Sequence, residues 1–239
     1  MNSSSCKLAI VAALEREVAG LIKTCSRVDL DHQGHKFSFF EGDDIVLICG
    51  GIGAEPARRA AEAVIALYHP HRLQSVGFAG ALVPNLRAGD IFEPAVIIDA
   101  RDGSRFEIED ASGHGVLVSF MAVAGVEQKA KLAQAYAAHA VDMEAASVAA
   151  AARAHGIRFA ATKVISDEFN FDLPDMERFV DSQGRFRTAA FITFAAVRPL
   201  LWTRIATLAR ASSKAEKALS QHLKRFCFQA LDAVEANTT

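Results

Sequence analysis

Lys7-Leu-Ala-Ile-Val-Ala-Ala13 is the stretch that decides the fold class. One lysine is followed by six apolar residues, with no polar position to mark a solvent face. A strand on a one-sided sheet alternates apolar with polar. A strand that is apolar throughout belongs in a sheet covered on both faces.

Reading outward, Glu15 to Lys23 has a helical pattern. His35–Glu41 and Asp44–Cys49 read as two strands separated by a turn around Gly42. Gly50-Gly-Ile-Gly53 is a tight loop leading into a helix from Glu55 to Tyr68, with Pro56 suited to its first turn. Gln74–Phe78 is a buried strand closed by Ala79-Gly-Ala81, and a strand over Ile91–Asp99 follows. Shorter strands are expected at Arg105–Glu109 and Val116–Met121, then a helix over Val126–Ala137. Ala140–Asp142 is a short strand end that runs into an alanine-rich helix, Met143–His155, with Gly156 as its C-cap. Phe159–Ile165 is a core strand. Phe169–Arg187 reads as a loop or lid with a turn at Ser182-Gln-Gly184, and long helices follow, broken at Pro199. Strands alternating with helices predict an α/β fold, a single domain over 1–239 with a mixed central β-sheet surrounded by helices.

Composition narrows the function. The 239 residues carry a formal net charge of −2, which does not suit a nucleic-acid-binding domain. Cys6, Cys25, Cys49 and Cys227 are widely spaced and form no C-x-x-C pair, so free thiols in a reducing cytosol are expected rather than a disulfide framework or zinc site. Met1–Lys7 lacks the pattern of a signal peptide, and no run approaches the roughly 20 apolar residues of a membrane span. A cytoplasmic protein is expected.

In open α/β sheets, ligands bind beyond the carboxyl ends of strands. Four places there carry polar residues. Glu15 and Glu17 follow the first strand; they are either first-turn carboxylates favoured by the helix dipole or include a base that activates water. Gly50-Gly-Ile-Gly53 lets the backbone approach a ligand, or is a generic turn; Pro56 stands where a dinucleotide fingerprint needs its third glycine. Glu144 opens a helix with little polar surface, so its carboxylate needs partners: a salt bridge, or ligand hydroxyls. Asp167, after Val164-Ile-Ser166, is either a helix N-cap or a general acid whose pKa burial raises.

Taken together, Ala13–Val18, Gly51-Ile-Gly53, Gly77-Phe-Ala-Gly80, Leu86–Ile91, Val141-Asp-Met-Glu-Ala145 and Ile165-Ser-Asp167 resemble, in order, the nucleoside phosphorylase/nucleosidase family. That family includes methylthioadenosine/S-adenosylhomocysteine nucleosidase and purine nucleoside phosphorylase. The resemblance implies that Asp167 protonates purine N7, with Ser166 beside it. It implies that Glu144 holds the ribose hydroxyls with Met143 under the sugar, and that Glu17 positions the attacking water. It places Phe78, Ala79 and Gly80 at the substrate, and the backbone of Val123 and Ala124 at adenine. The activity implied is cleavage of the N-glycosidic bond of an adenine nucleoside by a homodimer, with no metal or organic cofactor.

Two departures refine it. The family's phosphorylases carry a phosphate-binding serine and an upstream arginine where this chain has Phe78 and Ser75, which favours water over phosphate as nucleophile. Arg58, Arg59 and Arg178 remain as alternative phosphate ligands. Further along, Asp172-Leu-Pro174, Arg178-Phe-Val-Asp181, Gly184-Arg-Phe-Arg187 and Arg198-Pro-Leu-Leu-Trp202 resemble the bacterial hopanoid-associated branch, whose implied substrate is adenosylhopane. The helices at about 186–235 would then be an extension of that branch. Seven basic residues against Glu216 between Arg198 and Arg225 read either as a helix resting on an anionic membrane or as a solvated face of a helix packed on the core. A nucleoside-binding protein without catalysis and a dinucleotide enzyme are the competing classes.

Overall fold

The computed structural model describes residues 6–108, 113–171, 179, 187 and 202–235. Among the described residues, eleven strands form one mixed sheet. β1 (Leu8–Ala12) lies parallel between β4 (Ile45–Cys49) and β5 (Arg72–Ala81). Every residue of β1 is buried, and alternate ones face opposite sides. Ala9 and Val11 join a core cluster with the helix α2 (Ala54–Tyr68) and with Val148 of α4 (Ala145–Ala154). Leu8, Ile10 and Ala12 join another with Val18, Leu21 and, from α5 (Trp202–Glu235), Ala215, Leu219 and Leu223. The apolar run at the start of the chain therefore serves two cores.

The region expected as a helix from Glu15 to Lys23 is a 3-10 turn, Glu15–Glu17, followed by the short α1, Ala19–Ile22. Val18, with φ −119°, separates them. The turn carries the Glu17 side chain back over the end of β1, onto the N–H groups of Ala13 and Leu14.

A strand absent from the sequence reading, β2 (Ser26–His32), forms the sheet edge against β3 (His35–Glu41). Its charged residues Arg27, Asp29 and Asp31 alternate with Val28 and Leu30, as suits an exposed edge. The strand expected over Ile91–Asp99 is two, β6 (Ile91–Phe92) and β7 (Val96–Asp99), because Pro94 between them has no N–H to give a ladder. β8 (Arg105–Glu107) and β9 (Val116–Ser119) flank β7. α3 (Val126–Tyr136) precedes β10 (Ala140–Asp142). Gly156, at φ 64°, follows α4 as expected of a C-terminal glycine. The lid and turn expected around Ser182–Gly184, and the break at Pro199, lie outside the described residues.

Ala79-Gly-Ala81 does not close β5 but continues it, and this shapes the site. β1 ends opposite Val76, whereas β10 pairs with β5 only at Gly80 and Ala81. Between these two neighbours, β5 has a stretch that neither strand pairs. On its other side β5 runs against β11 (Arg158–Asp167), with a bulge between Ile165 and Asp167. A bulge redirects side chains at a strand end. Asp167 is thus the last residue of a strand, not the N-cap of a helix.

Candidate active site

The gap beside β5 is filled by Glu17. One carboxylate oxygen accepts the N–H groups of Ala13 and Leu14, both at 3.0 Å, and the other accepts the N–H of Phe78 at 3.3 Å. Gly77, at φ 154°, has a backbone that L side chains rarely adopt, and a Cβ there would press on both oxygens at 3.2 Å, so glycine suits the position. Burial pushes the Glu17 carboxyl up from its ordinary range, opposed by the Leu14 amide, Lys163 and the Phe78 amide. Of the acidic pair read from the sequence, Glu17 is the buried member and Glu15 is exposed. The guanidinium of Arg16 lies 5.2 Å from the centre of the Phe78 ring.

Glu144 sits at the N-terminus of α4, and its carboxylate accepts the N–H of Gly53 at 2.8 Å and of Met143 at 3.3 Å. The glycine loop is therefore not a turn of no consequence: its amide fixes a carboxylate 91 positions away. Burial first, and then the neighbouring Asp142, push the Glu144 carboxyl up to about 7. Met143, half-buried, adjoins it.

Lys163, inside the apolar β11, links these groups. Its ammonium pairs with Asp142 at 2.9 Å and donates to Ser75 Oγ at 3.0 Å. Burial pulls that ammonium's pKa down, but Asp142, Glu144 and Glu17 outweigh it, and the net direction is upward. Asp142 also accepts Ser119 Oγ at 2.5 Å and caps α4 through the Ala145 N–H at 2.9 Å. Ser119 in turn accepts the N–H of Ala146 at 2.9 Å. The sequence reading named neither Lys163 nor Asp142. A lysine in the middle of the expected core strand Phe159–Ile165 was the signal for the first; the second hid as one letter of a motif read for its glutamate.

Asp167 is buried and accepts Ser166 Oγ at 2.7 Å, and its other oxygen pairs with the ammonium of Lys129. Lys129 comes from α3, is 2% exposed, and also donates to the carbonyl of Glu168 at 2.8 Å. Asp167 and Lys129 thus form an ion pair in which both side chains are buried. The Gly80 position lies against this pair: a Cβ there would meet the Asp167 carboxylate at 3.0 Å. Ser166 Oγ also lies 3.3 Å from the carbonyl of Ala79.

The sheet thus gathers Glu17, Phe78, Ala79, Gly80, Ser166 and Asp167 along the ends of β5 and β11, and Lys163 ties Glu144 to them. Val123 and Ala124 lie in the segment between β9 and α3. Ala124 packs its side chain into a cluster with Leu132 and Val141. Arg58 is exposed and paired with Glu55 at 2.8 Å, and Arg178 lies outside the described residues. Among the described residues no cluster of His, Cys, Asp and Glu is arranged to hold a metal ion, and no helix is long and apolar enough to cross a membrane.

A model of the phosphorylase superfamily matches residues 7–125 and 121–200 of the chain. Among solved structures, the chain is similar to futalosine hydrolase of Helicobacter pylori strain 26695 (18% identity, TM-score 0.66, covering 94% of this chain and 100% of that one). It is also similar to the 5′-methylthioadenosine/S-adenosylhomocysteine nucleosidase of Neisseria meningitidis in complex with methylthio-immucillin-A (19%, TM-score 0.65, 92% and 99%). The corresponding nucleosidase of Colwellia psychrerythraea 34H, in complex with adenine, matches at 22% identity and TM-score 0.61, over 70% and 85%. At these identities the likeness is one of fold. No curated protein matches the chain by sequence.

Proposed function

The chain belongs to the phosphorylase superfamily, and from that premise we propose that it hydrolyses the N-glycosidic bond of an adenine nucleoside. Asp167 delivers a proton to N7, so that the base leaves neutral as the bond from C1′ to N9 breaks. Water adds to C1′ and gives its proton to Glu17. Glu144 accepts hydrogen bonds from the ribose hydroxyls, with Met143 beneath the sugar. Phe78, Ala79 and Gly80, with the backbone of Val123 and Ala124, line the base. The sugar passes through an oxocarbenium-like state, and the carboxylates of Glu17, Asp142 and Glu144 around one lysine favour that positive charge.

The observation that carries hydrolysis over phosphorolysis is the seat of Glu17. Backbone amides at the ends of strands are natural anion holders. Here those of Ala13, Leu14 and Phe78 are taken by the chain's own carboxylate. A phosphate entering this place would meet a buried negative group instead of free donors.

The 5′ substituent of the substrate is, in the finer reading, large and apolar, as in adenosylhopane. What supports this is the order of the motifs from Asp172 to Trp202. The basic helix speaks less strongly for a membrane: Ala215, Leu219 and Leu223 of α5 are buried in the core, while Arg210, Lys214, Lys217, Lys224 and Arg225 are exposed. Pelleting with anionic vesicles separates the two roles of this helix. The homodimer, with a neighbour closing the site, follows from the family resemblance.

The deciding experiment is adenine release from 5′-substituted adenosines, with and without phosphate. Release without phosphate is expected, reduced about 1,000-fold by Asp167→Asn, which keeps the shape and cannot carry the proton. Strict dependence on phosphate would overturn hydrolysis. Adenosine that binds tightly but is never cleaved would overturn the enzyme reading.

A further inference from the structure

Asp167 cannot by itself supply the proton assigned to it while it is ionised. Both of its oxygens accept hydrogen bonds, one from Ser166 Oγ and one from Lys129 Nζ, as suits a carboxylate. The nearest transferable proton in the structure is the one on Lys129. We propose that Lys129 and Asp167 act as one acid, in which Lys129 stores the proton that Asp167 passes to the leaving base. This rests on the adenine-cleaving reading above and deepens it.

The placement of Lys129 supports the role. A lysine on a helix surface ordinarily keeps its ammonium in water. Lys131, two residues on, does so, with 64% of its side chain exposed and a pair with Glu127. Lys129 instead turns inward to 2% exposure, where its ammonium has Asp167 and the carbonyl of Glu168 as partners. The carbonyl can accept a hydrogen bond from either the ammonium or the neutral amine, so it holds Nζ in place through both states. Proton transfer within such a pair requires hydrogen-bond contact, which is present.

The steps balance. One N–H bond of the Lys129 ammonium breaks and its proton moves to the Asp167 carboxylate. The carboxyl proton moves to N7 as the bond between C1′ and N9 cleaves toward the base. Lys129 is left as a neutral amine beside an ionised Asp167. The proton that water releases to Glu17 equals the one consumed, and exchange with solvent restores both groups. Lys129 acts through Asp167 and is a positioning and proton-storing residue.

The test uses two substrates and two variants of the full chain. Adenosine needs its leaving group protonated, whereas a 4-nitrophenyl riboside expels a stable anion and does not. Lys129→Met is expected to lower kcat for adenine release roughly 100-fold or more, with KM and 4-nitrophenyl riboside cleavage within about threefold of wild type. Lys129→Arg keeps the charge and the pairing but holds its proton too tightly to give up. It is expected to show the same selective loss, and thermal unfolding reports whether each variant is folded. Equal losses on both substrates by a folded variant, or full adenine release by Lys129→Arg, would overturn proton storage. A wild type that cleaves the 4-nitrophenyl riboside but no adenine nucleoside would overturn the function reading itself, and is seen before any variant is made.

Discussion

The two buried lysines of this protein serve carboxylates in opposite ways. Lys129 meets one carboxylate, and the pair is balanced. Lys163 touches Asp142 and lies within the field of Glu144 and Glu17, so three carboxylates share a single cation. In the proposed reaction, the first arrangement would keep a proton close to the leaving base. The second would set several acidic groups around the place proposed for the sugar. One fold holds both because they come from different elements: α3 supplies the first cation, and the core strand β11 supplies the second.

The largest difference between them should appear in stability. Lys163→Met removes the partner of three acidic groups, and uncompensated buried charge typically costs about 3–5 kcal/mol. Denaturant unfolding of Lys163→Met and Lys129→Met is expected to show the greater loss for the first. Equal losses would mean that Glu17 and Glu144 hold through their amide partners alone.

A pH profile sharpens the contrast further. Glu144 lies above its ordinary range, at about 7, so lowering the pH protonates it before an ordinary carboxyl. Protonation would remove an acceptor from the place proposed for the ribose. kcat/KM for adenosine is therefore expected to fall as pH drops below about 7, and Glu144→Gln, already neutral, should lose that limb along with much of its activity. A profile flat from neutral pH to the ordinary carboxylate range would remove Glu144 from the sugar.

The smallest expected effect is steric. Gly80→Ala places a methyl group 3.0 Å from the Asp167 carboxylate, which must shift by a few tenths of an ångström. Because small misplacements at a reacting centre are costly, kcat should fall roughly tenfold with KM little changed. Unchanged kcat would show that Asp167 has more latitude than its ion pair suggests.

The sequence carried the fold because the packing repeats along it. Leu8–Ala12 reads as buried on both faces and is so, and Gly156 ends α4 where its αL backbone requires it. β2 was legible too, in the alternation of Arg27, Asp29 and Asp31 with Val28 and Leu30, but the reading passed over it. Glu144 and Asp167 announced themselves as acids at the ends of apolar runs. Lys129 did not, since Lys129 and Lys131 look alike in a helix, and only the folded chain brings Asp167 within reach of the first. Sequence spacing reports which face a residue occupies; it does not report what stands opposite.

The second core cluster joins β1, near residue 8, to Ala215, Leu219 and Leu223 of α5. A ribosome makes β1 early and α5 some 200 positions later at about 5–20 residues per second. For that interval, on the order of ten seconds or more, the Leu8–Ile10–Ala12 face of the nascent sheet lacks the cover that α5 supplies. Such an exposed apolar surface is what chaperones recognise, and this protein's demand on them is set by how far apart its sequence places the two halves of one core.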